Sequence, residues 1–325
     1  MNLRLRFLPA VFSVSLLAMP ASPAQQKATN PNPEGCVWKI AKGGRTVYLA
    51  GSVHLLREED YPVSSTYDDA YADSDAIVFE VDMAEMMDPA VAMKVQRLGM
   101  YDADDSLDKH LKPETIERIR EYLSGHESGG MLSLALPRMK PGMIFLSISS
   151  LEAMRMKARA DLGLESTYFQ KAKADGKKTS GLETIEYQMG LFDEFSDAEI
   201  DELISQTLED AKEMPKVLGE MIAHWHAGDA EKLDEVLNRE MSRAKEGDRL
   251  KKLLLTDRNK NWVPKIEKAL AGGKNILFLV GAGHLVGKDG VVDLLQKRGH
   301  TVEKLKPSAA AAPAKARAAE KKKAA

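Results

Sequence analysis

Apolar residues in this chain fall into two kinds of run. Val37–Ala41, Thr46–Ala50, Ala76–Val81 and Asn275–Val280 are short and rich in β-branched and aromatic residues, which predicts strands. Lys42-Gly43-Gly44-Arg45 between the first two predicts a hairpin turn. Lys178–Leu182 reads as a further short strand and His300–Leu305 as a closing one. The second kind has helical spacing with start and stop signals. It covers Ser64–Ser74, Pro113–Leu123, Leu164–Ala174, Ser196–Lys212, Glu213–His226, Asp229–Arg243, Gly247–Leu255, Arg258–Ala271 and Asp289–Arg298. Pro141–Lys157 is helical in length but apolar along most of it. Neither group of strands makes a sheet that buries itself alone. The order therefore predicts one α/β domain, a central mixed β-sheet flanked by helices with a large helical insertion at about 83–243.

The ends read differently. Arg4 and Arg6 precede an apolar stretch, Phe7–Met19, and small residues follow at Ser22-Pro23-Ala24, the pattern of a secretory signal over 1–24. The stretch is too short to span a bilayer comfortably. The expectation is a cleaved leader, no stable membrane span and a periplasmic or secreted protein. Gln25–Pro33 is a polar linker, and Pro307–Ala325, almost all Ala, Lys, Pro and Arg, is expected to be a disordered tail. That leaves 34–306 for the folded domain. A formal charge of −3 and the lack of a basic stripe with interleaved aromatics exclude a nucleic-acid binder. The single cysteine, Cys36, forms no internal disulfide and is expected half-buried at the start of the first strand.

Two strand ends carry the candidate chemistry. Val47-Tyr48-Leu49-Ala50-Gly51-Ser52-Val53-His54 and Leu277-Phe278-Leu279-Val280-Gly281-Ala282-Gly283-His284 share one pattern, an apolar strand ending in Gly-x-x-His. Histidine suits base work or metal ligation near neutral pH. Glu80 lies inside the apolar run Ile77–Val81, and carboxylates are rarely buried without a partner. Strand carboxyl ends line the ligand crevice of an α/β sheet, so His54, Glu80 and His284 can converge. Two imidazoles and a carboxylate form a divalent-metal set with open positions; equally, they supply a base, an acid and a charge stabiliser without metal. Gly163-Leu164-Glu165-Ser166 and Gly181-Leu182-Glu183-Thr184 repeat a second pattern. Glu165 reads as a first-turn acid complementing a helix dipole, and Glu183, after a strand-like run, as a crevice residue. Thr256-Asp257-Arg258-Asn259 has two readings: Asp257 or Thr256 caps the following helix, or Arg258 clamps a carboxylate or neutralises a developing oxyanion. His224-Trp225-His226 has a spacing that diverges on a helix, so it is not read as a metal pair. The methionines of Met83–Met100 and Met139–Met156 read as core or groove lining. Ser52 lacks the second glycine of a nucleophile elbow.

The paired Gly-x-x-His motifs with Glu80 between them resemble the TraB/PrgY/GumN group, which includes the TIKI proteases. The Gly-Leu-Glu elements and Arg258-Asn259 look like its GumN branch, and the resemblance spans Cys36 to Leu305. It implies a fold related to erythromycin esterase and the haem-binding ChaN-like proteins. It also implies a metal-dependent peptidase site using Mn²⁺ or Co²⁺, with His54, Glu80 and His284 as ligands and Glu183 and Arg258 orienting a peptide or ester substrate. The alternatives on the same scaffold are a haem-type ligand carrier or a non-catalytic module of polysaccharide export, to which the GumN branch is linked.

Overall fold

The computed structural model describes residues 33–127, 129–243 and 247–307. The expected leader, and nearly all of the expected linker and tail, lie outside the described residues. Six strands form one sheet: β1 (Val37–Lys42), β2 (Arg45–Ser52), β3 (Ala76–Val81), β4 (Lys178–Glu183), β5 (Ile276–Gly281) and β6 (Glu303–Lys304), in the order β4-β3-β5-β2-β1-β6. β2, β5, β3 and β4 run parallel, while β1 is antiparallel to β2 and to β6. The mixed α/β class expected from the sequence is therefore found.

Positive φ angles at Gly43 and Gly44 make the β1–β2 hairpin turn, a conformation that costs an ordinary residue about 1 kcal/mol or more. From Val47 onward every residue of β2 is buried, as is every residue of β5 after Ile276. Successive side chains point to opposite faces, so both faces of these central strands are covered, and their runs are apolar throughout rather than alternating. The helix Ser65–Asp73, capped by the Ser64 side chain on the Thr66 N–H, carries the crossover from β2 to β3.

Three details depart from expectation. The helical insertion is two excursions, because β4 returns to the sheet between them and pairs with β3. The closing strand contracts to Glu303–Lys304, held to β1 through two residue pairs. Cys36 is completely buried, not half-buried. Burial pushes its thiol up to about 12, which makes it an inert packing residue. Pro141–Arg155 is the axis of the first excursion; it buries residues on nearly all sides, which is why its sequence shows so little polar face. Met83 and Met86 pack against the core, whereas Met87 and Met93 are exposed. Among the described residues no helix is long and apolar enough to cross a membrane.

Candidate active site at the carboxyl edge of the parallel strands

The carboxyl ends of β2, β3, β4 and β5 meet at one edge, and all five residues singled out by sequence lie there. Glu80 is on β3, Glu183 ends β4, His54 follows β2, His284 follows β5, and Arg258 opens the helix Asp257–Leu270. Glu80 is the hub. Its Oε1 accepts the Gly281 backbone N–H at 2.7 Å and lies 3.8 Å from His284 Nε2 and 4.0 Å from His54 Nε2. Its Oε2 accepts Arg258 Nη2 at 2.7 Å and the Gln188 amide at 3.4 Å.

Arg258 is fully buried, and each of its five N–H groups has an acceptor. Nε and one Nη2 proton go to Glu183, the other Nη2 proton to Glu80, and Nη1 donates to the Leu254 carbonyl at 3.1 Å and to His284 Nε2 at 3.0 Å. The expected break between helices at 256–257 is absent. Lys252–Thr256 forms a π turn that runs directly into Asp257–Leu270, and Thr256 makes no side-chain cap. The reading of Thr256 and Asp257 as caps is thus replaced by Arg258 as the clamp. Such wide turns often sit at functional sites.

The histidine tautomers follow from their other contacts. Asn259 Nδ2 donates to the Asp289 carbonyl at 3.0 Å, so its Oδ1 faces His284 Nδ1, 2.7 Å away. His284 therefore keeps its proton on Nδ1 and its lone pair on Nε2. Trp262 packs against this ring, tilted, with centroids 4.3 Å apart, and donates to Glu183 Oε1 at 2.7 Å. Burial, then the Arg258 charge, lowers the His284 pKa to about 3, so the ring is neutral. His54 Nδ1 donates to Glu165 Oε1 at 2.7 Å. Burial opposes its protonation, but the charge and hydrogen bond of Glu165, and the charge of Glu80, outweigh that and raise its pKa to about 9. For Glu80, burial favours the neutral acid; Arg258 and the Gly281 N–H prevail and hold it at about 2.

Glu165 departs from its reading as a dipole residue. It does open the helix Leu164–Asp175, but its Oε1 also accepts from Ser52 Oγ, and its Oε2 is buried without a partner. The signal for it was present: Glu165 shares the Gly-Leu-Glu pattern with Glu183. Gln188, Trp262 and Asn259 were not singled out individually. Asn259 and Trp262 follow Arg258 at one and four positions, on its own helix. His224 and His226 stay out of the site, but Trp225 between them donates to the Gly51 carbonyl at 2.7 Å, beside the Tyr67 hydroxyl at 2.6 Å.

The donors have the chemistry of an ion site. Both Nδ1–H groups are held by oxygen acceptors, the outer-shell arrangement that aims a histidine's Nε2 at a metal, and both Nε2 atoms face one carboxylate oxygen. A Cβ built on Gly281 would stand 3.1 Å from Glu80 Oε1 and 3.4 Å from His54 Nε2, so the glycine keeps that space open. As arranged, the donors are wider apart than in a filled site, and no group of three or more His, Cys, Asp or Glu among the described residues stands at ligating spacing. In this arrangement Arg258 Nη1 holds the His284 lone pair.

The fold and this edge define a mixed α/β protein with a buried histidine–carboxylate–arginine centre. Sequence comparison gives the family: residues 36–304 match the TraB/PrgY/gumN family, and the chain belongs to it. Relatives include zebrafish metalloprotease TIKI1, 22% identical over 87% of this chain and 66% of the relative, and zebrafish metalloprotease TIKI2, 23% identical over 80% and 58%. The uncharacterized protein YbaP of Escherichia coli is 23% identical over 78% of this chain and 89% of its own length. The chain thus spans about two thirds or less of the length of those two TIKI proteins. No solved structure matches it.

Proposed function

We propose that this chain is a metal-dependent hydrolase of the TIKI-like peptidase type, acting on a peptide or ester. His54, Glu80 and His284 would hold a divalent ion, Mn²⁺ or Co²⁺ by analogy with the resemblance. One observation carries the reading: two histidines with Nδ1 fixed by Glu165 and Asn259 turn their Nε2 atoms to the same Glu80 oxygen, across space that Gly281 leaves open. A divalent ion there supplies a Lewis acid for a scissile carbonyl and acidifies water. The chain's own residues do the rest. Glu165 and Asn259 set the imidazole tautomers, and Gln188 and Arg258 keep Glu80 ionised and oriented. Glu183 fixes Arg258 and with it the substrate-facing edge. In the ion-free chain His54 holds a second proton at neutral pH, so the acidic pocket already draws one cation to that place.

The same reading includes a single domain over 34–306, an erythromycin esterase/ChaN-like architecture and a secreted or periplasmic location, supported by the sheet order and by the leader pattern in the sequence. A haem-type carrier is the second reading. It would use a cleft of about 870 Å³ lined by Met100, Met143, Met189 and Phe192. The cleft's histidine, His110, has both ring nitrogens on carboxylates, Asp105 and Asp197, at 3.0 Å, which leaves no lone pair for an iron.

The test is metal analysis of the purified chain together with peptide and ester turnover, in wild type, His54→Ala and His284→Ala. Loss of stoichiometric ion and of turnover with the fold retained is expected. Unchanged turnover in either variant would rule the assignment out.

A further inference from the structure

We infer that Arg258 is a built-in competitor for the ion. Resting on the reading above, it goes beyond it by assigning this chain a self-masked state. Of the three donors proposed for the ion, His284 offers one lone pair only, at Nε2, because Nδ1 carries the proton given to Asn259. That single lone pair is occupied by Arg258 Nη1 at 3.0 Å. The guanidinium also places a fixed positive charge against Glu80 Oε2. An entering cation therefore meets two obstacles, a taken lone pair and like-charge repulsion, both from one side chain.

The geometry also holds the mask firmly in place. Arg258 is anchored by Glu183 through Nε and Nη2, by Glu80 through Nη2 and by the Leu254 carbonyl through Nη1. Only one of its five N–H groups goes to His284, and because the guanidinium is planar and rigid, an ion gains Nε2 only when the whole fork shifts off that lone pair. An arginine that served only to build the site would weaken ion binding when removed. An arginine that masks it strengthens binding when removed. The two roles predict opposite signs.

The experiment is Co²⁺ titration of the full chain at pH 8, followed by the visible absorption of the ion and by calorimetry, with folding checked by circular dichroism. Arg258→Gln is expected to bind Co²⁺ roughly ten- to a hundredfold more tightly than wild type, the range for losing a charge-assisted hydrogen bond. Arg258→Lys keeps the charge but lacks the second arm of the fork; it should fall between the two and decides the matter if Arg258→Gln does not fold. Equal or weaker binding by the folded variants overturns the masking role while leaving the ion site standing. If instead no chain binds Co²⁺, or His54→Ala binds it as wild type does, the ion site itself falls and the mask with it.

Discussion

After β2 the chain enters a loop in which 11% of the His54 side chain stays exposed, whereas after β5 it enters the helical turn Ala282–Leu285, and His284 is completely buried. Both segments are apolar strands ending in Gly-x-x-His, yet His54 is driven toward its charged form and His284 toward its neutral one. The register explains part of the difference. Gly51 pairs with Val280 and Ser52 with Gly281, so the copies are offset by one residue. A one-residue offset turns equivalent positions to opposite faces of a sheet. A Cβ on Gly281 would enter the space between Glu80 and His54; one on Gly51 would press on Ala282 and Cys36 at 3.0 and 3.2 Å. The neighbours explain the rest, since His54 faces carboxylates and His284 faces an arginine. A sequence repeat thus duplicated a backbone turn and left the chemistry to whatever each copy meets.

The sharpest way to break this comparison is to fill both glycines. Gly281→Ala is expected to cut turnover about a hundredfold or more, because small displacements of reacting groups have that effect, and to weaken ion binding. Gly51→Ala should instead lose about 1–3 kcal/mol of stability by overpacking, with the folded fraction as active as wild type. Parallel losses of activity and stability in both variants would make the glycines equivalent after all. Denaturation and single-turnover assays on the same samples decide this.

Acid should separate the histidines next, in ion-free buffer. His284 has a folded pKa of about 3 against an ordinary 6.5, so the unfolded chain binds the extra proton. Its contribution is present above about pH 6.5 and is lost as pH falls toward 3, a few kcal/mol in all. Glu80, held at about 2, acts lower, from its ordinary 4.5 downward. His284→Gln should flatten the stability profile between pH 6.5 and 4.5; an unaltered slope would show that the ring is not buried neutral.

On the alkaline side the sign reverses. His54 titrates at about 9 when folded, so its contribution is complete below pH 6.5 and vanishes as pH rises through 9. Glu165→Gln should lower that pKa by about one unit or more, since a unit corresponds to 1.36 kcal/mol and a buried charged partner is removed. Histidine ring NMR reads this directly; an unmoved titration would detach Glu165 from His54. The smallest effect belongs to Trp262→Phe, which removes the hydrogen bond to Glu183. A loss of about 1 kcal/mol is expected, with the His54 titration unchanged.

The strands, most helices and the meeting of His54, Glu80 and His284 were legible because each depends on local pattern: apolar runs that end in glycine, and a carboxylate inside a buried strand. What was not legible depends on contacts between distant segments. Glu165 has the composition of a first-turn residue, and only the approach of the loop after β2 makes it a partner of His54. The last strand was overestimated because Glu303–Lys304 has a single neighbour, β1, and pairs only with Trp38 and Lys39, although β1 runs on to Lys42. Cys36 was misjudged for the same kind of reason: Trp225, nearly 190 residues away, closes over it.

The π turn at Lys252–Thr256 acts as a phase shifter. Each added residue rotates a helix by about 100°. Upstream of the turn Leu250 is buried, and downstream Arg258 and Trp262 are directed to Glu183. Buried positions recur at every fourth residue through 247–270, at Leu250, Leu254, Arg258, Trp262, Ile266 and Leu270, a spacing that drifts by about 40° per step in an uninterrupted α-helix. The wide turn offsets that drift and keeps Arg258 and Trp262 on the buried face of the rod, so a deletion within these five positions is a more radical change to the site than many substitutions inside it.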